Sequence, residues 1–118
     1  MSTAFHIYAM QHNKTKRVYV GCAHNIFYRC KAHLSALKGK RHKSSMMQAD
    51  FDRFGNDFSI WELETVPSDQ RIQVGDHEYQ LQTIREVEWM IAFDSIENGY
   101  NHQDKVARVI SAKKAVVT

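Results

Sequence analysis

Apolar and polar positions alternate in short runs at the start of the chain. Phe5-His-Ile-Tyr-Ala-Met10 and Arg17-Val-Tyr-Val20 are rich in β-branched and aromatic residues, and a polar turn from Gln11 to Lys16 separates them. Together they predict a β-hairpin that places Tyr8 and Tyr19 on neighbouring strands. After Gly21 the period changes. Phe27, Cys30, Leu34 and Leu37 recur at helical spacing and predict a helix with one apolar face. Asn25 is its expected N-cap and Gly39 its expected stop. Lys38-Gly-Lys-Arg-His-Lys43 reads as a basic, flexible connection. Ser44 or Ser45 opens a second helix with Met47, Phe51 and Phe54 as its stripe and Gly55-Asn56 as its end. Phe58 to Val66 alternates imperfectly and predicts a third strand, closed by Pro67. Ser68 to Glu78 is polar, contains Gly75 and reads as a loop. Tyr79 to Phe93 predicts a third helix, and Asn98-Gly99-Tyr100-Asn101 a turn. The fold class expected is α+β: one domain with a small three-stranded antiparallel sheet flanked by helices.

Composition narrows the setting. A chain of 118 residues has room for one compact core. No apolar run reaches membrane-spanning length, and the N-terminus lacks the apolar centre of a signal peptide. Two cysteines, Cys22 and Cys30, make no disulfide framework, so a reducing, cytoplasmic setting is expected. The net charge of +3 conceals an asymmetry. Residues 1–49 carry nine Lys or Arg and no acid, whereas residues 50–104 hold all thirteen acids and three bases. A cationic first half implies a polyanionic partner, with nucleic acid the first candidate. A face of merely solvated lysines is the plainer alternative.

Some residues invite chemistry. Arg29 and His33 stand four apart, so their side chains meet on one flank of the first helix. A guanidinium is planar and always charged, which suits a phosphate; by position alone the plainer role, a surface helix cation, would win. The two tyrosines orient a water or simply pack with satisfied hydroxyls. His42 lies among Lys38, Lys40, Arg41 and Lys43, where it either contacts phosphate or stays solvated. Cys22, His24, Cys30 and His33 have soft-ligand spacing for zinc, but Cys30 lies on the apolar stripe, which favours a buried thiol. On the third helix, Glu86 aligns with Trp89, Met90 and Phe93, and Glu88 with Ile84, Ile91 and Ala92. Periodicity cannot choose between them, and a carboxylate in such surroundings must be paired, metal-bound or protonated.

The order of these pieces resembles the GIY-YIG nuclease family. The two tripeptides that name it stand here as His6-Ile7-Tyr8 and Tyr19-Val20-Gly21, with His6 in place of the first glycine. Arg29 and His33 match the family's helix, His42 a further histidine of phage-type homing endonucleases, and Glu86 and Asn101 the late Glu and the Gly-Tyr-Asn turn. The resemblance covers about residues 4–103. It implies a metal-dependent DNA endonuclease, free-standing and of homing or phage type, acting in the host cell if phage-encoded. It implies catalytic roles for Tyr8, Tyr19, Arg29, His33, Glu86 and Asn101. Arg29 would stabilise the phosphate and Tyr8 handle the water. Glu86 would hold one divalent cation, Mg²⁺ or Mn²⁺. DNA binding is expected from Lys38, Lys40, Arg41, His42 and Lys43. The expected organisation is a nuclease domain over 1–103 and a basic extension over 104–118. Two rivals are a non-catalytic nucleic-acid-binding module with the same fold and the catalytic domain of a longer nuclease.

Overall fold

The structure is a computed structural model and describes residues 3–102; the basic extension expected at 104–118 lies outside the described residues. Strands β1 (Ala4–His12), β2 (Val18–Ala23) and β3 (Phe58–Pro67) form an antiparallel sheet in the order β2-β1-β3. Between β2 and β3 run helices α1 (Ile26–Lys38) and α2 (Ser45–Phe54). The first hairpin pairs Tyr8 with Gly21 and Met10 with Tyr19, so both tyrosines stand on one face. The β1–β3 register slips between Ile7 and Tyr8: Ile7 faces Glu64 and Tyr8 faces Glu62. Leu63 is the extra residue, and this bulge is why β3 alternates imperfectly in the sequence.

The polar stretch read as a loop is instead a second hairpin. β4 (Arg71–Val74) pairs with β5 (His77–Gln80) across a turn in which Gly75 adopts φ 63°. Its strands are four residues each and mostly exposed, so almost no apolar alternation marks them. Only Val74 is buried deeply, against the third helix. That helix, α3 (Leu81–Phe93), starts two residues later than expected because Tyr79 and Gln80 belong to β5.

The sheet has two occupied faces. Ile7, Ala9, Val18 and Val20 pack on Ile84, Val87 and Met90 of α3. Tyr8, Met10 and Ala23 pack on Leu37 of α1, Met47 of α2 and Tyr100. Fully burying an aliphatic side chain of this size contributes about 1.5–3 kcal/mol.

One expected helix face is rotated. In α1 the buried residues are His33 and Leu37, and Phe27 is 65 % exposed. The inward stripe includes a histidine, which apolar counting passes over. In α2 the expected stripe largely holds, with Met47 buried, Phe51 packed against the same cluster and Phe54 38 % exposed beside the His12 ring, and Asp50 is buried as well. The caps follow expectation: Asn25 accepts from the Tyr28 N–H and Ser44 from the Met47 N–H. Gly55, at φ 87°, ends α2. At the end of α1, Gly39 stays at φ −84° and Lys40 takes the left-handed turn at φ 56°.

Candidate active site

Gly21 explains why the two tyrosines can approach. A Cβ there would come within 2.5 Å of the Tyr8 Cζ and Oη and 2.8 Å of the Tyr19 ring. Behind them, His33 Nε2 lies 2.8 Å from Tyr8 Oη, and His33 Nδ1 lies 2.8 Å from His42 Nε2. The loop after α1 returns His42 to this place. Its N–H donates to Gln48 Oε1, and its ring stacks on His33 with centroids 5.0 Å apart.

One backbone contact sets the direction of this chain of hydrogen bonds. The Ser44 N–H donates to His42 Nδ1 at 3.0 Å. A main-chain N–H cannot accept, so the neutral His42 ring carries its hydrogen on Nε2 and donates to His33 Nδ1. Neutral His33 then carries its hydrogen on Nε2 and donates to Tyr8 Oη. The Tyr8 hydroxyl is left to hydrogen-bond Tyr19, an interaction that favours the Tyr19 phenolate. Electrostatics keep the whole chain neutral. Burial, then His42 and Arg29, depress His33 to about 4. Burial also lowers His42. Burial foremost, and the neighbouring Tyr19, push the Tyr8 phenol far above its ordinary value, and burial with Glu86 raises Tyr19.

A cleft of about 360 Å³ is lined by Phe5, Tyr19, Cys22, Arg29, Gln80, Gln82, Thr83 and Glu86. Tyr19, Arg29 and Glu86 therefore meet across one opening, although they come from β2, α1 and α3. Tyr8, only 1 % exposed, does not line it and stands behind Tyr19 with His33 and His42. Glu86 is 7 % exposed. Glu88, whose apparent apolar stripe includes the exposed Ile91, is half exposed and pairs with Arg85 at 3.2 Å. Arg85 also forks onto Glu64, which accepts from Trp89 as well.

Asn101 does not reach the cleft wall. Its Oδ1 accepts from the Val20 N–H and its Nδ2 donates to the Val20 carbonyl, both at 2.9 Å, so its amide mimics a strand partner for β2. Gly99 makes this closeness possible, since a Cβ would lie 2.5 Å from the Val18 carbonyl oxygen. The loop cations are exposed, and two are already engaged: Lys40 pairs with Asp52 at 3.1 Å and Arg41 donates to Ser35 Oγ. The zinc set does not assemble. His24 stacks on Phe5 and bonds the Ala4 carbonyl, both nitrogens of His33 are used, and no three His, Cys, Asp or Glu among the described residues group around a metal position.

Residues 4–101 match the GIY-YIG catalytic domain family. The chain belongs to the GIY-YIG family. It is 33 % identical over 98 residues to intron-associated endonuclease 1 of Enterobacteria phage T4, covering 83 % of this chain and 36 % of that protein. The chain thus spans about a third of the curated relative's length. Among solved structures, a mutant of the catalytic domain of intron endonuclease I-TevI superposes with a TM-score of 0.72 at 31 % identity, covering 88 % of this chain and 96 % of that one. The catalytic domain of homing endonuclease I-TevI gives 0.66 at 29 % identity, covering 88 % and 100 %. The GIY-YIG fold accounts for the three-stranded sheet and its helices.

Two polar residues escaped sequence reasoning. Asp50 is buried and accepts from Tyr100 Oη, Thr15 Oγ1 and the Arg17 guanidinium. Its signal was its place three residues after Met47, on the inward side of α2. Gln82, 5 % exposed, lines the cleft one helical turn before Glu86. That i, i+4 spacing was its signal. The donors around Glu86 suit a hard divalent cation. Such an ion binds oxygen, uses one or two carboxylates, and keeps waters that a substrate phosphate displaces. The Gln82 side-chain oxygen is buried there and accepts no hydrogen bond among the described residues.

Proposed function

We propose that this GIY-YIG domain is a metal-dependent endonuclease that hydrolyses DNA phosphodiester bonds, and that the chain is the catalytic part of a homing-type nuclease. The convergence of Tyr19, Arg29 and Glu86 on one cleft carries this reading. A cation at Glu86, Mg²⁺ or Mn²⁺, would supply positive charge opposite the scissile phosphate. Arg29, exposed at the mouth, supplies a second positive charge with fork geometry, so the charge that develops on the phosphoryl oxygens is balanced. The Tyr19 hydroxyl faces the attacking water. Tyr8 donates to Tyr19, His33 to Tyr8 and His42 to His33, so each hydrogen bond polarises the next toward the Tyr19 oxygen, where negative charge builds. Tyr19 acts as the phenolate, favoured by Arg29 and the Tyr8 hydroxyl: it takes the water's proton as the water oxygen bonds to phosphorus, and the phosphorus–oxygen ester bond breaks with its leaving oxygen protonated from solvent. Asn101 positions β2, and with it Tyr19. Lys38, Lys40, Arg41 and Lys43 draw in the DNA backbone.

Glu86→Gln tests this reading. It should lose cation-dependent nicking of supercoiled plasmid by a factor of about 100 or more while keeping the parent's fold. Glu88→Gln should cut normally. If Glu88→Gln loses activity and Glu86→Gln keeps it, the proposed cation position is wrong by half a helical turn.

A further inference from the structure

Gln82 sits in the first turn of α3 and is 5 % exposed, a depth at which side chains are mostly apolar. Instead the chain buries an amide. Its Nε2 donates to Gln80 Oε1 at 2.5 Å, so one half of the amide is used to hold its orientation. The other half, Oε1, is fully buried and meets no donor among the described residues. A buried acceptor left without a partner costs about 1–3 kcal/mol. This one lines the same cleft as Glu86 and lies one helical turn from it. A neutral carbonyl oxygen next to a buried carboxylate is what a hard cation or its bound water accepts as a second oxygen partner.

We propose that Gln82 Oε1 is part of the oxygen shell of the divalent cation held by Glu86, either bonded to it or accepting from one of its waters. The inference rests on the metal-dependent reading above and adds a residue to it. Gln82 completes the donor set from within α3 itself, so the cation is held by two side chains of one rigid helix, four residues apart. It also explains why the orphaned oxygen is tolerated: the cost is borne by the metal-free protein and recovered on loading.

Calorimetric titration of Mn²⁺ into the intact protein tests this, with denaturant unfolding of the metal-free forms alongside. Gln82→Leu should weaken Mn²⁺ binding about tenfold or more. Its metal-free form should be at least as stable as the parent, because the unsatisfied oxygen is gone. Gln82→Glu, which keeps an oxygen and adds a charge, should bind Mn²⁺ at least as tightly as the parent. Glu86→Gln is the control that separates the two readings. If Glu86→Gln loses Mn²⁺ and Gln82→Leu binds it like the parent, Gln82 is no part of the shell and the metal reading stands. If neither substitution alters binding, the cation lies elsewhere and both readings fall. If Gln82→Leu binds weakly but its metal-free form is itself destabilised, Gln82 is a structural amide and the proposal is overturned.

Discussion

Tyr8 and Tyr100 are both deeply buried, both belong to the same apolar cluster, and both have phenols pushed far above their ordinary value. Their networks differ in kind. Tyr100 donates to Asp50, a carboxylate that also accepts from Thr15 and Arg17. Burial alone would raise the Asp50 carboxyl, but these donors outweigh it and hold the group below its ordinary range. The Asp50 charge there is met by the Arg17 guanidinium and by two hydroxyl donors, so the network is a closed structural clamp. It ties the β1–β2 turn, α2 and the Gly-Tyr-Asn turn together. Tyr8 has no formal counter-charge at hydrogen-bond distance among the described residues. It accepts from a neutral imidazole and passes its own hydroxyl toward Tyr19 at the cleft wall. A chain of neutral groups that ends at an opening can respond to charge arriving there. Burial is thus no guide to role, and the direction in which the hydrogen bonds run is.

The sharpest way to break this contrast is to remove the two hydroxyls in turn. Tyr8→Phe should cut plasmid cleavage by about 100-fold or more, and should cost about 1–3 kcal/mol of stability because the buried His33 N–H loses its acceptor. Tyr100→Phe should leave cleavage per folded molecule near the parent's and cost about 1–2 kcal/mol of stability. Equal effects of the two variants on rate would erase the distinction.

The next effect concerns pH. His33 titrates at about 4 when folded, against about 6.5 when unfolded, because burial, then His42 and Arg29, oppose its protonation. Between those values the unfolded chain binds the extra proton. The neutral form's contribution to stability is therefore complete above about pH 6.5 and falls as pH drops, by about 3 kcal/mol once pH reaches 4. Urea unfolding at pH 6.5 and 4.5 should show the parent losing more stability than His33→Gln, which has nothing to protonate. A glutamine variant as pH-sensitive as the parent would place the titration on other groups.

Asp50→Asn addresses the clamp. It removes the charge that Arg17 and Tyr100 share and should cost about 2 kcal/mol, toward the small end for a broken ion pair because Arg17 is half exposed. Thermal unfolding measures it, and the cleavage rate of the folded fraction should stay within about twofold.

The smallest effect falls on the surface. Neutralising Lys38, Lys40, Arg41 and Lys43 together should weaken DNA binding and lower the dependence of log K on log salt by up to about 0.9 for each phosphate that the protein no longer neutralises. Lys40 contributes least, being paired with Asp52. An unchanged salt slope would move the DNA-facing surface away from the α1–α2 connection.

Much of the frame was legible in the sequence. The Tyr8–Tyr19 hairpin, the Asn25 and Ser44 caps, and the three-strand, three-helix order follow from local periodicity and capping chemistry, which act over a few residues. The order Tyr8, Tyr19, Arg29, His33, Glu86, Asn101 was enough for the family resemblance that the comparisons bear out. What local pattern could not decide was set by contacts between distant segments. The β4–β5 hairpin buries too little apolar surface to leave a period in its own sequence: Val74 is buried and Tyr79 partly buried against the core. The inward face of α1 turns on His33, a polar residue that is buried because Tyr8 and His42 satisfy both its nitrogens. Glu86 and Glu88 look alike along the helix. Tertiary packing alone separates them, since Glu88 finds Arg85 at the surface and Glu86 turns into the cleft. Asp50, Gln82 and the direction of the histidine relay belong to the same class. Each depends on which donor or acceptor another part of the chain brings within about 3 Å, and a hydrogen bond at that range has no signature in the spacing of residues along one strand or helix.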